Sequence, residues 1–188
     1  MIVAISGQPG SGKSTIAQKI ADELNLKRYY MGGIRRQMAK ERGMTLAEFN
    51  ELGEKEDFTD KEVDQYQKKL GEQEDNFVIE GRTSCLFIPH SLKIFLEVDP
   101  QEGAKRIFGH LQEKAEERNE GKNLDSVEAV LKSNQQRMAS DIARYQKWYS
   151  CNPFDHKHYD YILDTTEISI PEVTAKVLAW LKKQRKNG

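Results

Sequence analysis

The chain has 188 residues, 37% hydrophobic and 9% aromatic, at a mean hydropathy of -0.76, which is one domain's worth of polypeptide and too aromatic for a disordered chain. Twenty-nine basic residues against thirty acidic ones leave a net charge of -1, which disfavours a non-specific nucleic-acid binder, a class that carries a basic excess. Cys85 and Cys151 have no metal-ligand spacing, and there is neither a long apolar run nor a leader-like N-terminus, so the expectation is a reduced, cytoplasmic chain with no membrane partner.

Ile2-Val3-Ala4-Ile5 reads as a short buried strand. It runs into Gly7-Gln8-Pro9-Gly10-Ser11-Gly12-Lys13-Ser14, and a helix starting near Lys13 follows, with Ile16, Ile20 and Leu24 four apart. This is G-x-x-x-x-G-K-[ST] in its strand-loop-helix context. The glycines let successive N–H groups turn around an anionic phosphate, and the helix adds its positive end. Lys13 is placed to reach the β- and γ-phosphates and Ser14 to ligate Mg²⁺. Gly7, Gln8, Pro9, Gly10, Ser11, Gly12, Lys13, Ser14 and Thr15 are therefore the expected triphosphate site. The D-x-x-G and N-K-x-D elements of a GTPase switch are absent. A small ATP-dependent kinase remains, with its acceptor held in line with the γ-phosphate.

Lys27 to Tyr30 is a second short strand, and three helices are expected over Gly33 to Arg42, Thr45 to Lys55 and Thr59 to Leu70. Gly43 suits a C-terminal cap, and Thr45 with Glu48 and Thr59 with Glu62 have capping-box spacing. Phe77-Val78-Ile79 and Leu92 to Leu96 read as strands, followed by a charged stretch from Gln101 to Lys122 that reads as a solvated helix. Asp125 opens a long helix with Val127, Val130, Leu131, Met138, Ile142 and Tyr145 on one face. Tyr161-Ile162-Leu163 is the last strand, and Ser169 with Glu172 caps a closing helix bearing Val173, Val177, Trp180 and Leu181. Short apolar strands alternating with helices predict an α/β fold with a parallel sheet.

An anionic acceptor calls for arginines outside the loop. Arg35 and Arg36 follow the second strand, and Glu80-Gly81-Arg82 ends the third, at the strand ends where parallel sheets bind ligands. Glu80 closes its apolar run as a Walker B acid would, placed for Mg²⁺ through water. Arg137 and Arg144, seven residues apart with Asp141 between them, share a helix face, and spacing alone fits a surface ion-pair ladder equally well. Arg106 and Arg118 are candidates to reach the phosphates from a lid. His156 and His158 lack partners for a metal site and read as surface residues.

The phosphate loop, Gly32 to Lys40, Met44 to Phe49, Glu80-Gly81-Arg82, and Arg137, Ser140, Arg144 and Tyr145 resemble the cytidylate kinases, particularly their short archaeal-type branch. The 137–144 stretch also resembles R-D-x-x-D-x-x-R of the bacterial branch, with Met138 in place of the first aspartate; Met31 replaces a common serine and Gly103 a common arginine. The resemblance implies a phosphate-loop kinase fold over residues 1–188: five parallel strands flanked by helices, acceptor-binding helices near 31–72 and a lid near 101–148. It implies Mg²⁺- and ATP-dependent phosphorylation of CMP and dCMP. Arg36, Arg82, Arg137, Asp141 and Arg144 would contact the acceptor or the transferring phosphoryl group, with Lys13, Arg82, Arg137 and Arg144 acting in catalysis and Ser14 and Glu80 holding the metal. A monomer is expected. AMP or shikimate as acceptor, or a regulatory nucleotide-binding protein with no acceptor, are the alternatives.

Overall fold

The computed structural model describes residues 1–114 and 124–187. Five strands, β1 (Ile2–Gly7), β2 (Lys27–Tyr30), β3 (Phe77–Glu80), β4 (Leu92–Glu97) and β5 (Tyr161–Asp164), form one parallel sheet in the order β2-β3-β1-β4-β5. The helices are α1 (Lys13–Leu24), α2 (Met31–Glu41), α3 (Leu46–Lys55), α4 (Phe58–Gln73), α5 (Ser84–Phe87), α6 (Pro100–Lys114), α7 (Val127–Tyr149) and α8 (Ile170–Asn187). Each expected strand is present, as is each expected helix, though of the helix expected over 101–122 only the part to Lys114 falls within the described residues; α5, a single turn after Arg82, was not expected.

Alternation along the strands builds a three-layer fold. Val3 and Ile5 of β1, with Val78, Ile94 and Leu96, face Ile16 and Ile20 of α1 and Val173, Val177 and Leu181 of α8. Ile2 and Ala4, with Phe77 and Ile79, face Met31, Met38, Phe49, Val63 and Leu70 on the other side. Trp180 stacks on Tyr161 at 5.1 Å. The α6–α7 pair carries a smaller core of its own around Ala104, Ile107 and Val130. No helix among the described residues is long and apolar enough to cross a membrane.

Local signals hold in part. Thr45 and Glu48 form the capping box, Ser169 donates from both its N–H and its hydroxyl to the Glu172 carboxylate, and Gly43 follows the end of α2 at φ 69°. The Thr59–Glu62 box does not form: α4 begins one residue earlier, behind Asp57, and the Thr59 hydroxyl turns inward to Glu56 and Asp60. Ser126, not Asp125, caps α7, accepting from the Ala129 N–H at 3.1 Å. The buried face of α7 is also more polar than expected. Val130 and Tyr145 are buried, but so are Asn134, Asp141 and Arg144, while Met138 and Ile142 are only half-buried. That polar stripe exists because it walls the site.

Candidate active site

β1 and β3 are neighbours, with Ile5 opposite Glu80, so the loop after β1 and the Glu80-Gly81-Arg82 turn lie side by side at the carboxyl ends of the strands. The Gly81 N–H donates to the Ile5 carbonyl and carries the register one step past the sheet. Gly12, at φ 79°, turns the chain into α1, a left-handed conformation that strains other residues. The Gln8 side chain ties the loop to the Val98 N–H at 2.8 Å, and the Lys13 Nζ donates to the Gln8 carbonyl at 3.1 Å, folding the ammonium over its own loop. Thr15 is exposed in the first turn of α1, while Ser14 faces inward.

The Ser14 hydroxyl donates to the Glu80 carboxylate, whose other oxygen accepts from Arg28 at 2.6 Å. A hydroxyl beside a carboxylate is the hard-oxygen pairing that suits Mg²⁺. Among the described residues no cluster of three His, Cys, Asp or Glu competes for a metal ion. His156 instead bonds Glu97 at 2.7 Å, and His158 lies 3.2 Å from the Cys151 sulfur.

One cleft is lined by Pro9, Gly10, Lys13 and Ser14 of the loop, by Arg82 lying against the loop at Gly7, and by Arg35, Arg36, Arg137 and Asp141. A chain of buried charges fixes this arginine wall. Arg82 donates from Nε to Asp141 at 2.9 Å and from Nη1 to the Gly7 carbonyl, with its guanidinium 5.0 Å from the Phe154 ring centre. Arg144 donates to the other Asp141 oxygen and to both oxygens of Asp60 at 2.7 Å. Asp60 also accepts from Arg35 at 2.7 Å, whose Nε bonds Asn50 at 2.9 Å. Three guanidiniums thus share two carboxylates, which leaves a positive wall beside the phosphate loop.

Burial alone would raise the Asp141 carboxyl, but Arg82, Arg144 and Arg137 outweigh it and hold it down to about 2. Nη2 of Arg82 is buried with no hydrogen-bond partner, as a donor kept for an anion would be, whereas the unpartnered Nη2 of Arg35 packs beside Gly53 of α3.

The expected site residues divide on this geometry. Lys13, Ser14, Arg36, Glu80, Arg82, Arg137 and Asp141 come together in the cleft. Arg144 does not line it. Its side chain is 0% exposed behind the wall, so neither a surface ladder nor a direct ligand contact describes it; it braces the groups that do face the cleft. Arg36 is held by the Tyr30 hydroxyl and the Gly32 carbonyl. Arg106 does not reach the cleft either: it binds the Thr165 and Thr166 carbonyls at 2.8 and 2.9 Å and ties α6 to the end of β5. Arg118 and Lys122 fall outside the described residues. The sequence pointed to Arg35 only as an arginine after the second strand, and Asn50, Asp60, Asp64 and Gln67 were missed. A signal was available: Asp60, Asp64 and Gln67 share helical spacing with the buried Val63, which puts polar residues on the face that should be core.

Gly103 has a structural reason. A Cβ there would stand 2.7 Å from the Pro9 carbonyl oxygen, and one on Gly10 would stand 2.3 Å from the Gly103 carbonyl oxygen. Helix α6 therefore meets the phosphate loop backbone to backbone, leaving no room for an arginine side chain.

Residues 2–167 match the model of the cytidylate kinase-like family. The chain is 34% identical over 179 residues to a cytidylate kinase of Archaeoglobus fulgidus, covering 95% of this chain and 93% of that protein. It is 35% identical over 174 residues to one of Methanocaldococcus jannaschii, covering 92% and 93%. Among solved structures, a shikimate kinase from Bacteroides thetaiotaomicron superposes with a TM-score of 0.60 at 17% identity over 97% of this chain and 98% of that one, a likeness of fold.

Proposed function

The chain belongs to the cytidylate kinase-like family, and from that premise we propose that it transfers the γ-phosphoryl group of ATP to CMP and dCMP, giving ADP and the pyrimidine diphosphate. The observation that carries the reading is the cleft itself. Lys13 and Ser14 at a phosphate loop share a single cavity with Arg82 and Arg137, so a triphosphate and an anionic acceptor fit end to end. A regulatory protein without an acceptor has no use for the second wall.

In this reading Gly7 to Thr15 hold the triphosphate through loop N–H groups and the start of α1. Lys13 draws charge from the β- and γ-phosphates. Ser14 and Glu80 would hold Mg²⁺, which when bound neutralises phosphate charge. Arg82 and Arg137 bind the acceptor phosphate and stabilise the charge on the transferring group, with Arg36 at the mouth and Asp141 orienting Arg82. Arg35 lines the same cleft and is held in place by Asp60 and Asn50. Arg144 acts from behind as a positioning residue. A phosphate monoester is already ionised near neutral pH, so the attacking oxygen needs no general base.

Water in the cleft would divert the phosphoryl group, and the α6–α7 pair, with its separate small core, is the element suited to close as a lid. We propose that the protein acts as a monomer on small-molecule nucleotides. The test is ADP release with ATP and Mg²⁺ across CMP, dCMP, UMP, AMP, GMP and shikimate. CMP and dCMP should stimulate it far above the others; a dominant AMP or shikimate rate would reassign the acceptor.

A further inference from the structure

Beyond the phosphate-facing arginines, the same cleft contains a second, differently built wall. Asp64 on α4 lines it and is 5% exposed. One Asp64 oxygen accepts from the Gln67 Nε2 at 2.9 Å and the Thr83 hydroxyl at 2.8 Å, and the other accepts from the Tyr149 hydroxyl at 2.6 Å. Gln67 cannot turn its amide round, because its oxygen would then face the Asp64 carboxylate; as placed, its carbonyl accepts from the Ser84 hydroxyl at 2.5 Å and its nitrogen also reaches Thr83 at 3.0 Å. Every polar hydrogen in this cluster is therefore committed inward. A carboxylate has roughly four acceptor positions, and three are filled. What the cluster presents to a ligand is one acceptor and no donor.

A carboxylate cannot face the acceptor's phosphate, which Arg82 and Arg137 claim beside Asp141. It can face a base that carries an N–H. We propose that Asp64 is the specificity residue for the acceptor base, its carboxylate accepting a hydrogen bond from the exocyclic 4-amino group of cytosine and refusing the 4-oxo group of uracil. The inference rests on the proposed function and deepens it. Uracil would set two acceptors against each other in a buried site, and sites built to hydrogen-bond one partner reject the analogue that leaves a buried group unpaired. Asp64 separates amino from oxo; it does not by itself separate pyrimidine from purine.

The cluster also makes the choice depend on pH. Asp64 faces Asp60 on its own helix, Arg35 from α2, Thr83 and Ser84 before and in α5, and Tyr149 from α7. Burial pushes the carboxyl up, the Tyr149 and Thr83 hydrogen bonds pull it down, Asp60 raises it and Arg35 lowers it, leaving it at about 6. Above that value it is an acceptor only. Below it the group carries a proton and offers a donor that suits the 4-oxo group.

The experiment measures kcat/KM for CMP and for UMP from about pH 5.5 to about pH 8 at saturating ATP and Mg²⁺. The CMP/UMP ratio cancels the titration of the acceptor phosphate, which the two nucleotides share. If CMP uses the carboxylate and UMP the carboxylic acid, the ratio falls about tenfold per pH unit on acidification. Asp64→Asn places an amide that can donate, so UMP should gain, the ratio at neutral pH should fall about 100-fold, and its pH dependence should vanish. Tyr149→Phe keeps the carboxylate but removes one donor, so the preference for CMP should survive with the change in CMP rate displaced to higher pH; this variant carries the test if the first does not fold. A ratio that is flat with pH in the unmodified protein, or losses shared equally by CMP and UMP in the variants, would overturn the proposal. An unmodified protein that phosphorylates neither nucleotide would instead defeat the proposed function, before any variant is made.

Discussion

Arg144→Ala separates a positioning residue from one that touches ligand. The substitution removes a guanidinium that is 0% exposed and leaves Asp60 and Asp141 facing each other's neighbourhood with less compensation. Asp60 keeps Arg35 and Asp141 keeps Arg82, so neither carboxylate is wholly abandoned. Breaking a buried ion pair by removing one partner costs about 3–5 kcal/mol. For a chain of this length each kcal/mol is worth roughly 2–4 °C in Tm, so melting should fall by roughly 10 °C. Activity should fall as well, because Asp141 and Arg82 lose their brace.

Arg137→Ala is the matched control. Arg137 is half-buried and lines the cleft, so its loss should lower kcat/KM by about 2–4 kcal/mol while Tm moves little. Thermal unfolding followed by circular dichroism, paired with initial rates against CMP, reads both effects. A Tm for Arg144→Ala within about 3 °C of the unmodified protein, or a lower Tm for Arg137→Ala than for Arg144→Ala, would refute the bracing role.

Lys13→Ala should lower turnover by two decades or more, about 3 kcal/mol of lost charge stabilisation, with Tm little changed; near-normal initial rates would remove the loop cation from the mechanism. Gly103→Ala puts a Cβ 2.7 Å from the Pro9 carbonyl oxygen, so α6 must shift off the loop, and the KM for ATP should rise while acceptor KM stays near its starting value. Equal changes in both KM values would place the strain elsewhere. Asp64 is raised from 3.8 to about 6 in the folded protein, so the native state holds a proton that the unfolded chain has lost between those values. The stabilisation is complete below about pH 4 and disappears as pH rises through about 6. Denaturant titrations of the unmodified protein relative to Asp64→Asn should therefore diverge by about 3 kcal/mol across that window. Parallel stability curves would show that Asp64 titrates normally.

The strands and most helix boundaries were readable because their signals are local. Ile2 to Ile5 is an apolar run with a glycine loop behind it, and Thr45 with Glu48 meet within one turn. The phosphate loop was readable for the same reason, as a contiguous motif whose glycines and lysine have fixed jobs. Thr59 shows how the local rule fails: its hydroxyl was drawn to buried Asp60 and Glu56, so the capping spacing went unused. The arginine wall was only half legible. Arg82 could be placed because it follows a strand, but Asp60 contacts Arg144 across 84 positions of sequence and Tyr149 contacts Asp64 across 85. Such partners carry no short-range pattern. A polar residue at a core-facing helical position was the remaining trace, and on α7 the apolar residues nearby masked it.

The most direct measurement is a product inventory by ³¹P NMR, with ATP, Mg²⁺ and CMP present together and each nucleotide then omitted in turn. Phosphoryl transfer across the cleft requires CDP and ADP to appear in equal amounts, with little inorganic phosphate and no reaction without CMP. ADP and inorganic phosphate formed at the same rate with or without CMP would contradict it.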